Sequence, residues 1–198
     1  MTNRYENYGD DPRFRGFKKV PFKTFRKAVA NCPSQQSLCE DDAQFTKRVR
    51  KMYDELKLPM RATYESAGYD FYAPFDFTIQ PGEEIVIPTG ICMRVHVGEF
   101  LMCVPRSGSG FKYGLRLKNT VGVIDSDFYS PEHGSEGHIM VALLNHDHDQ
   151  PISFKAGDGI MQGIILDCCF QHEYDQWQWW QRGVEVRTGG FGSTGGTN

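Results

Sequence analysis

From Tyr64 to Cys169 the chain is written in short apolar, β-branched runs, each closed by a turn residue: "FTIQPGEEIVIPTG", "ICMRVHVGEFLMCVP", "GHIMVALLN", "PISFKAGD" and "GIMQGIILDCC". Runs this short suit strands better than helices, and the "QPGE" and "KAGD" turns put Pro and Gly where a chain must reverse. The pattern predicts an all-β sandwich or barrel. One segment departs from it. In "EDDAQFTKRVRKMYDELK", Phe45, Val49, Met52, Tyr53 and Leu56 recur at helical spacing, with acids at the start and lysines late. That spacing predicts an amphipathic helix of about four turns. It follows a loop around Asn31 to Cys39 and ends at "LP", so residues 24–57 are expected to be an insertion outside the β core. No internal repeat is visible, and residues 1–198 are expected to form a single domain.

The net charge of −3 argues against a general nucleic-acid binder, although the stretch through Lys27 carries eight Lys or Arg against three acids. No apolar run approaches the ~20 residues of a membrane helix, and no signal peptide opens the chain; a soluble, cytoplasmic protein is expected. Cys92 and Cys103 lie in apolar runs and read as small core residues. Cys32 and Cys39 lack a second ligand pair nearby, and Cys168 and Cys169 would face opposite ways in a strand, so a zinc site is not expected.

Several segments carry possible chemistry. "SAGYDFYAP" sets Asp70 just after a glycine, in what alone reads as a turn and a strand. "VPRSGSGFKYG" gathers a cation (Arg106), a hydroxyl (Ser107) and the bare amides of Gly108 and Gly110, a set suited to phosphate. It lacks the Lys-Ser/Thr ending of a P-loop and is not expected to open a helix. "LKNTVGVIDSD" frames Asn119 with apolar residues ahead of Asp125 and Asp127. In a strand, residues two apart share a face, so these carboxylates fit either a general base with its support or a solvated strand end. Gln162 sits in an otherwise apolar strand, where its amide needs partners. "NHDHDQP" reads as an exposed hairpin turn, and "QWQWW" (Trp177, Trp179, Trp180) as core or subunit packing. The chain ends in "RTGGFGSTGGTN", too glycine-rich to build a core, yet carrying a ring, two hydroxyls and flexible amides able to wrap a nucleotide.

In order and spacing, "SAGYDFYAP", "PRSGSG", "NTVGVIDSDF", "GDGIMQG" and "GGFGSTG" resemble the five motifs of the trimeric dUTP diphosphatase (dUTPase) family over residues 64–198. "RGFKKV" is similar to the family's first strand, and "EGHI" to members from Gram-positive bacteria and their phages. The resemblance implies a jelly-roll subunit, a homotrimer with sites at subunit interfaces, and Mg²⁺-dependent conversion of dUTP to dUMP and pyrophosphate. It thereby implies a role in keeping uracil out of DNA and supplying dUMP for thymidylate synthesis. It assigns Asp125 as general base, Arg106, Ser107 and Gln162 as phosphate contacts, and Gly108 as a further substrate-binding residue. Asn119 and nearby main chain would read uracil, Gly122, Ile124 and Ile139 would be further substrate-binding residues, and Phe128 would pack beneath deoxyribose, where tyrosine is usual. Asp70 would approach the metal through water. Residues 187–198 would be an arm that closes over the nucleotide with Arg187, Phe191, Gly192, Ser193 and Thr194. The fourth motif has Gly159 where the family commonly has arginine, and Arg187 stands four residues before Phe191 where five is usual. Two other readings compete with this one. The first is dCTP deaminase on the same fold, disfavoured because Asp125 stands where the diphosphatase base belongs. The second is a nucleotide-responsive regulatory protein with an unidentified protein partner.

Overall fold

The computed structural model describes residues 15–36, 40–131, 135–147 and 149–168. Fourteen strands and three α-helices follow one another along these residues. The chain enters through β1 (Gly16–Lys19), α1 (Phe22–Ala30) and α2 (Asp42–Glu55). It continues through β2 (Met60–Arg61), β3 (Tyr69–Tyr72), β4 (Phe77–Ile79), β5 (Glu84–Pro88), β6 (Ile91–Arg94) and β7 (Glu99–Val104). A short helix, α3 (Ser107–Tyr113), precedes β8 (Leu115–Leu117), β9 (Gly122–Asp125), β10 (Tyr129–Ser130) and β11 (Ser135–Glu136). The last strands are β12 (Met140–Asn145), β13 (Ile152–Phe154) and β14 (Gly159–Asp167).

The strands form a five-stranded sheet in the order β2-β3-β14-β7-β9, a three-stranded sheet β5-β12-β8, and the pairs β1-β6, β4-β13 and β10-β11. Every pairing is antiparallel. Alternation is clear where one face meets the core: Val141, Leu143 and Asn145 of β12 are buried between half-buried neighbours, and β4, β8 and β13 each bury their outer two residues. Phe71, Leu101, Ile160, Ile79, Ile87 and Leu143, drawn from different sheets, join one hydrophobic cluster. Cys92 and Cys103 belong to it, and burial pushes both thiols up to about 12, so they pack rather than react. The all-β architecture expected from the runs is present, as is the strand at "GFKK" that the family resemblance implies.

α2 forms where the periodicity places it, with the Asp41 carboxylate accepting from the Gln44 N–H at its start. α1 is a helix that the sequence pattern does not announce. Phe25 and Val29 are its buried residues, and Arg26 and Lys27 between them disguise the stripe as a basic run. The two helices lie outside the sheets but share their core, since Phe25, Val29 and Val49 join the same cluster. Polar contacts add to this packing: Tyr53 donates its hydroxyl to the Val20 carbonyl at 2.7 Å, and Lys19 Nζ donates to the Tyr53 carbonyl at 2.9 Å.

The turn at Gly90 joins helices to sheets. Its φ of +73° suits glycine, and a Cβ there would lie 2.4 Å from Leu56 Cδ1. Its carbonyl accepts from Val20, and its N–H donates to His138 Nε2 at 2.9 Å. Accepting through Nε2 requires a neutral ring, and burial pulls the His138 pKa from 6.5 down to about 4. A folded-state pKa below the unfolded value means that the unfolded chain binds the extra proton, so the contribution is intact above pH 6.5 and is lost as pH falls toward 4. Denaturant titrations from pH 7 to pH 4 are expected to show falling stability. His138→Gln, which keeps an acceptor but does not titrate, is expected to flatten that slope by up to about 1.4 kcal/mol per pH unit. An unchanged slope would mean that His138 does not set it.

Candidate active site

Strand pairing assembles the first group of motif residues. Gln162 of β14 lies opposite Asp70 of β3 on one side and Val104 of β7 on the other. Two residues past Val104, Arg106 turns back over this ladder. Its Nε and Nη2 donate to the two Asp70 carboxylate oxygens, both at 3.0 Å, and Nη1 donates to the Gly159 carbonyl at 3.4 Å. Gln162 Nε2 donates to the Pro105 carbonyl at 3.2 Å, so the amide in the apolar strand has its partner. The amide lies flat against Gly68, where a Cβ would stand 2.4 Å from Oε1. Asp70, Arg106 and Gln162 thus meet at one end of three adjacent strands, with Ser107 and Gly108 exposed beside them.

Arg106 is also the N-cap of α3, which corrects the expectation that "RSGSG" does not open a helix. The helix runs only from Ser107 to Tyr113 and stops at Gly114, whose φ of +64° is the left-handed C-cap that glycine favours. Two glycines in four residues hide it, because glycine is a poor helix former.

The second group begins on the turn that joins β8, paired with β12, to β9, paired with β7. Thr120 at its tip has φ +64°, a costly conformation for a β-branched residue. The flanking bonds Thr120 N–H to Leu117 O (3.0 Å) and Val121 N–H to Asn119 O (2.7 Å) hold it there. Asn119 is exposed, and its Nδ2 lies 3.6 Å from where a Cβ on Gly122 would be, so amide and bare backbone sit together. Ile124 pairs with Leu101, and the exposed Asp125 ends β9 opposite Phe100. The Phe128 N–H donates to the Asp125 carbonyl at 3.1 Å, folding a turn after the strand. Asp127 falls in that turn, so the same-face argument for the two carboxylates stops at Asp125. Phe128 packs half-buried against the core, and Ile139 is buried, its carbonyl accepting from the Thr89 hydroxyl at 2.6 Å.

Arg106 and Asp125 do not meet within one chain, although Gly122 pairs with Cys103 near the Arg106 end of β7. β7 carries both: its Val104 end bears Arg106 and faces Gln162, while Asp125 sits opposite Phe100 at its other end. Four residues of strand are roughly 13 Å, longer than any side chain here can bridge. Arg187, Phe191, Gly192, Ser193 and Thr194 lie outside the described residues, as do Trp177, Trp179 and Trp180.

The dUTPase family model matches residues 54–195. This chain belongs to the dUTPase family. Among its curated relatives, the deoxyuridine 5'-triphosphate nucleotidohydrolase of Lactococcus lactis is 37% identical over 141 residues, 71% of this chain and 89% of the relative. That of Desulfitobacterium hafniense is 42% identical over 144 residues, 70% of this chain and 87% of the relative. The crystal structure of the dUTPase from Streptococcus mutans superposes with a TM-score of 0.52 at 36% identity, covering 59% of this chain and 89% of that one. A mutant dUTPase from phage phi11 of S. aureus shares the fold at 19% identity, with a TM-score of 0.51 over 59% of this chain and 87% of that one. The dUTPase match begins within α2, so α1 and β1 lie before it. Sequence reasoning finds the motif side chains but not the backbone that receives them: the Pro105 and Gly159 carbonyls, and the open floors at Gly68 and Gly159.

Proposed function

We propose that this chain hydrolyses dUTP to dUMP and pyrophosphate in a homotrimer whose sites each combine the Arg106 end of one subunit with the Asp125 end of another. The observation that carries this reading is the separation of Arg106 and Asp125 along β7. An anion-binding corner and an exposed carboxylate that follows a turn able to face a base are what the reaction needs, and a second copy supplies what each chain holds out of its own reach. No helix among the described residues is long and apolar enough to cross a membrane, which fits action in the cytoplasm.

In this reading the Asn119 amide and neighbouring main chain read the uracil edge, and the segment around Gly122 and Ile124, with Ile139, closes on the base. The pocket excludes the thymine methyl by contact and cytosine by its reversed donor and acceptor pattern. Phe128 packs under the deoxyribose. Arg106, Ser107, the Gly108 amide and Gln162 hold phosphate oxygens through charged and neutral donors. Asp125 accepts a hydrogen bond from water and takes its proton as the oxygen attacks the α-phosphorus. The bond from that phosphorus to the bridging oxygen breaks, and pyrophosphate leaves. Arg187, Phe191, Gly192, Ser193 and Thr194 close over the bound nucleotide from the tail.

Mg²⁺ fits this arrangement as a companion of the triphosphate. Among the described residues no cluster of three His, Cys, Asp or Glu side chains forms a cage. Magnesium commonly keeps several waters and binds substrate phosphates. Both Asp70 oxygens accept from Arg106, and each retains a further lone pair for a metal-bound water. When bound, the ion neutralises charge on the phosphate chain.

Incubation with each nucleoside triphosphate and Mg²⁺ should yield dUMP and pyrophosphate from dUTP; ammonia from dCTP would overturn the reading. Asp125→Asn keeps the shape of the carboxylate but cannot take the proton. It is expected to lower kcat by about 10²–10⁴-fold with dUTP binding kept within about tenfold. Turnover above a tenth of the parent's would put the base elsewhere.

A further inference from the structure

The fourth motif departs from the family pattern at Gly159, and the structure shows what occupies the space. A Cβ on Gly159 would stand 2.3 Å from Arg106 Nη1, 2.7 Å from Cζ and 2.9 Å from Nε. Three atoms of a single guanidinium lie closer than any real Cβ contact allows, so Arg106 reaches its place only because residue 159 has no side chain. Gly159 is not among the residues of positive φ, so its backbone does not explain the glycine. Its use is room.

We propose that Gly159 is a positioning residue for the triphosphate: its open backbone is the recess that seats Arg106 with one edge on Asp70 and two donors left for phosphate. The proposal rests on the reading of Arg106 as a phosphate contact and deepens it. A guanidinium has five N–H donors in a planar fork. Two go to the Asp70 oxygens and one to the Gly159 carbonyl. The two that remain belong to Nη1 and Nη2, one each, and form a pair that phosphate oxygens can accept together. The Asp70 side chain is 15% exposed and that of Arg106 38%, so the acid end of the dock is sheltered while the guanidinium keeps access to ligand. Seating the long side chain before substrate arrives spares the rotamer freedom that binding would otherwise remove. A residue at 159 carrying its own side chain would have to share Asp70 or displace Arg106 from it; glycine leaves the carboxylate to Arg106.

Gly159→Ala tests this cleanly, because its backbone suits alanine and the colliding atoms are the end of a flexible side chain. Arg106 must swing away while the fold stays. Steady-state dUTP kinetics at saturating Mg²⁺ would compare the parent, Gly159→Ala, Arg106→Ala and the double variant, with thermal midpoints confirming that each is folded. We expect Gly159→Ala to raise KM about tenfold, the scale of a lost charge-assisted hydrogen bond, with kcat changed by less than about threefold. In the Arg106→Ala background the same alanine should change KM by less than about twofold, because both substitutions remove one interaction. Should Gly159→Ala lower the thermal midpoint, Asp70→Asn, which breaks the other side of the dock without adding volume, must raise KM in its place. A parental KM in Gly159→Ala beside a raised KM in Arg106→Ala would overturn the positioning role and leave Arg106 as a phosphate contact. Additive effects in the double variant would overturn it as well. An unchanged KM in Arg106→Ala would overturn the phosphate reading and this proposal with it.

Discussion

Strand β7 is hydrogen-bonded on both sides, to β14 and to β9, and the rest of the site follows from that constraint. Double pairing fixes its register twice: Cys103 stands between Gly163 and Gly122, and Leu101 between Ile165 and Ile124. A one-residue slip on either side would turn buried Leu101 and Cys103 outward, so the core enforces the register. Once it is fixed, Arg106 must emerge beside Gln162 and Asp70, and Asp125 must emerge four residues away. A packed sheet thereby holds the Arg106 corner and the candidate base rigidly apart. Rigidity suits a site completed by another subunit, since each half arrives already ordered and association loses less freedom.

The strands are legible because most bury one face and alternate accordingly; "MVALLN" in β12 shows it plainly, with Val141, Leu143 and Asn145 inward. Asn145 is the instructive exception, a fully buried amide at the end of an apolar run. Its Nδ2 donates to the Ile79 and Gln150 carbonyls, and its Oδ1 accepts from the Asp147 N–H, which ties the "NHDHDQP" turn to the sheet. The helix α2 is legible from the spacing of Phe45, Val49 and Met52. By contrast, α1 and α3 are concealed by composition, the first by lysine and arginine and the second by glycine, and tertiary contacts override those local signals.

The candidate site residues are legible in the motifs; how they face one another is not. Nothing in "PRSGSG" says that Arg106 would lie back on Asp70, because that contact needs β3 and β14 in register and the space above Gly159. Nor does "VIDSD" reveal that only Asp125 remains in the strand while Asp127 enters the turn. The helical segment stands apart from the motifs, since none of their residues lies in it. Yet Phe25, Val29 and Val49 are completely buried, so removing it would strip part of the core as well as an appendage.

The central claim is that the Arg106 and Asp125 groups work together only across a subunit boundary, and subunit mixing tests it most directly. Asp125→Asn and Arg106→Ala proteins would be unfolded and refolded together, mixed assemblies isolated, and dUTP hydrolysis compared with each parent variant alone. Where Arg106 of one subunit serves Asp125 of another, some mixed sites pair an intact corner with an intact base. The account predicts activity well above the sum of the two separate preparations. Activity no higher than that sum, in assemblies proven to contain both chains, would contradict it, because every site would then draw both groups from a single chain.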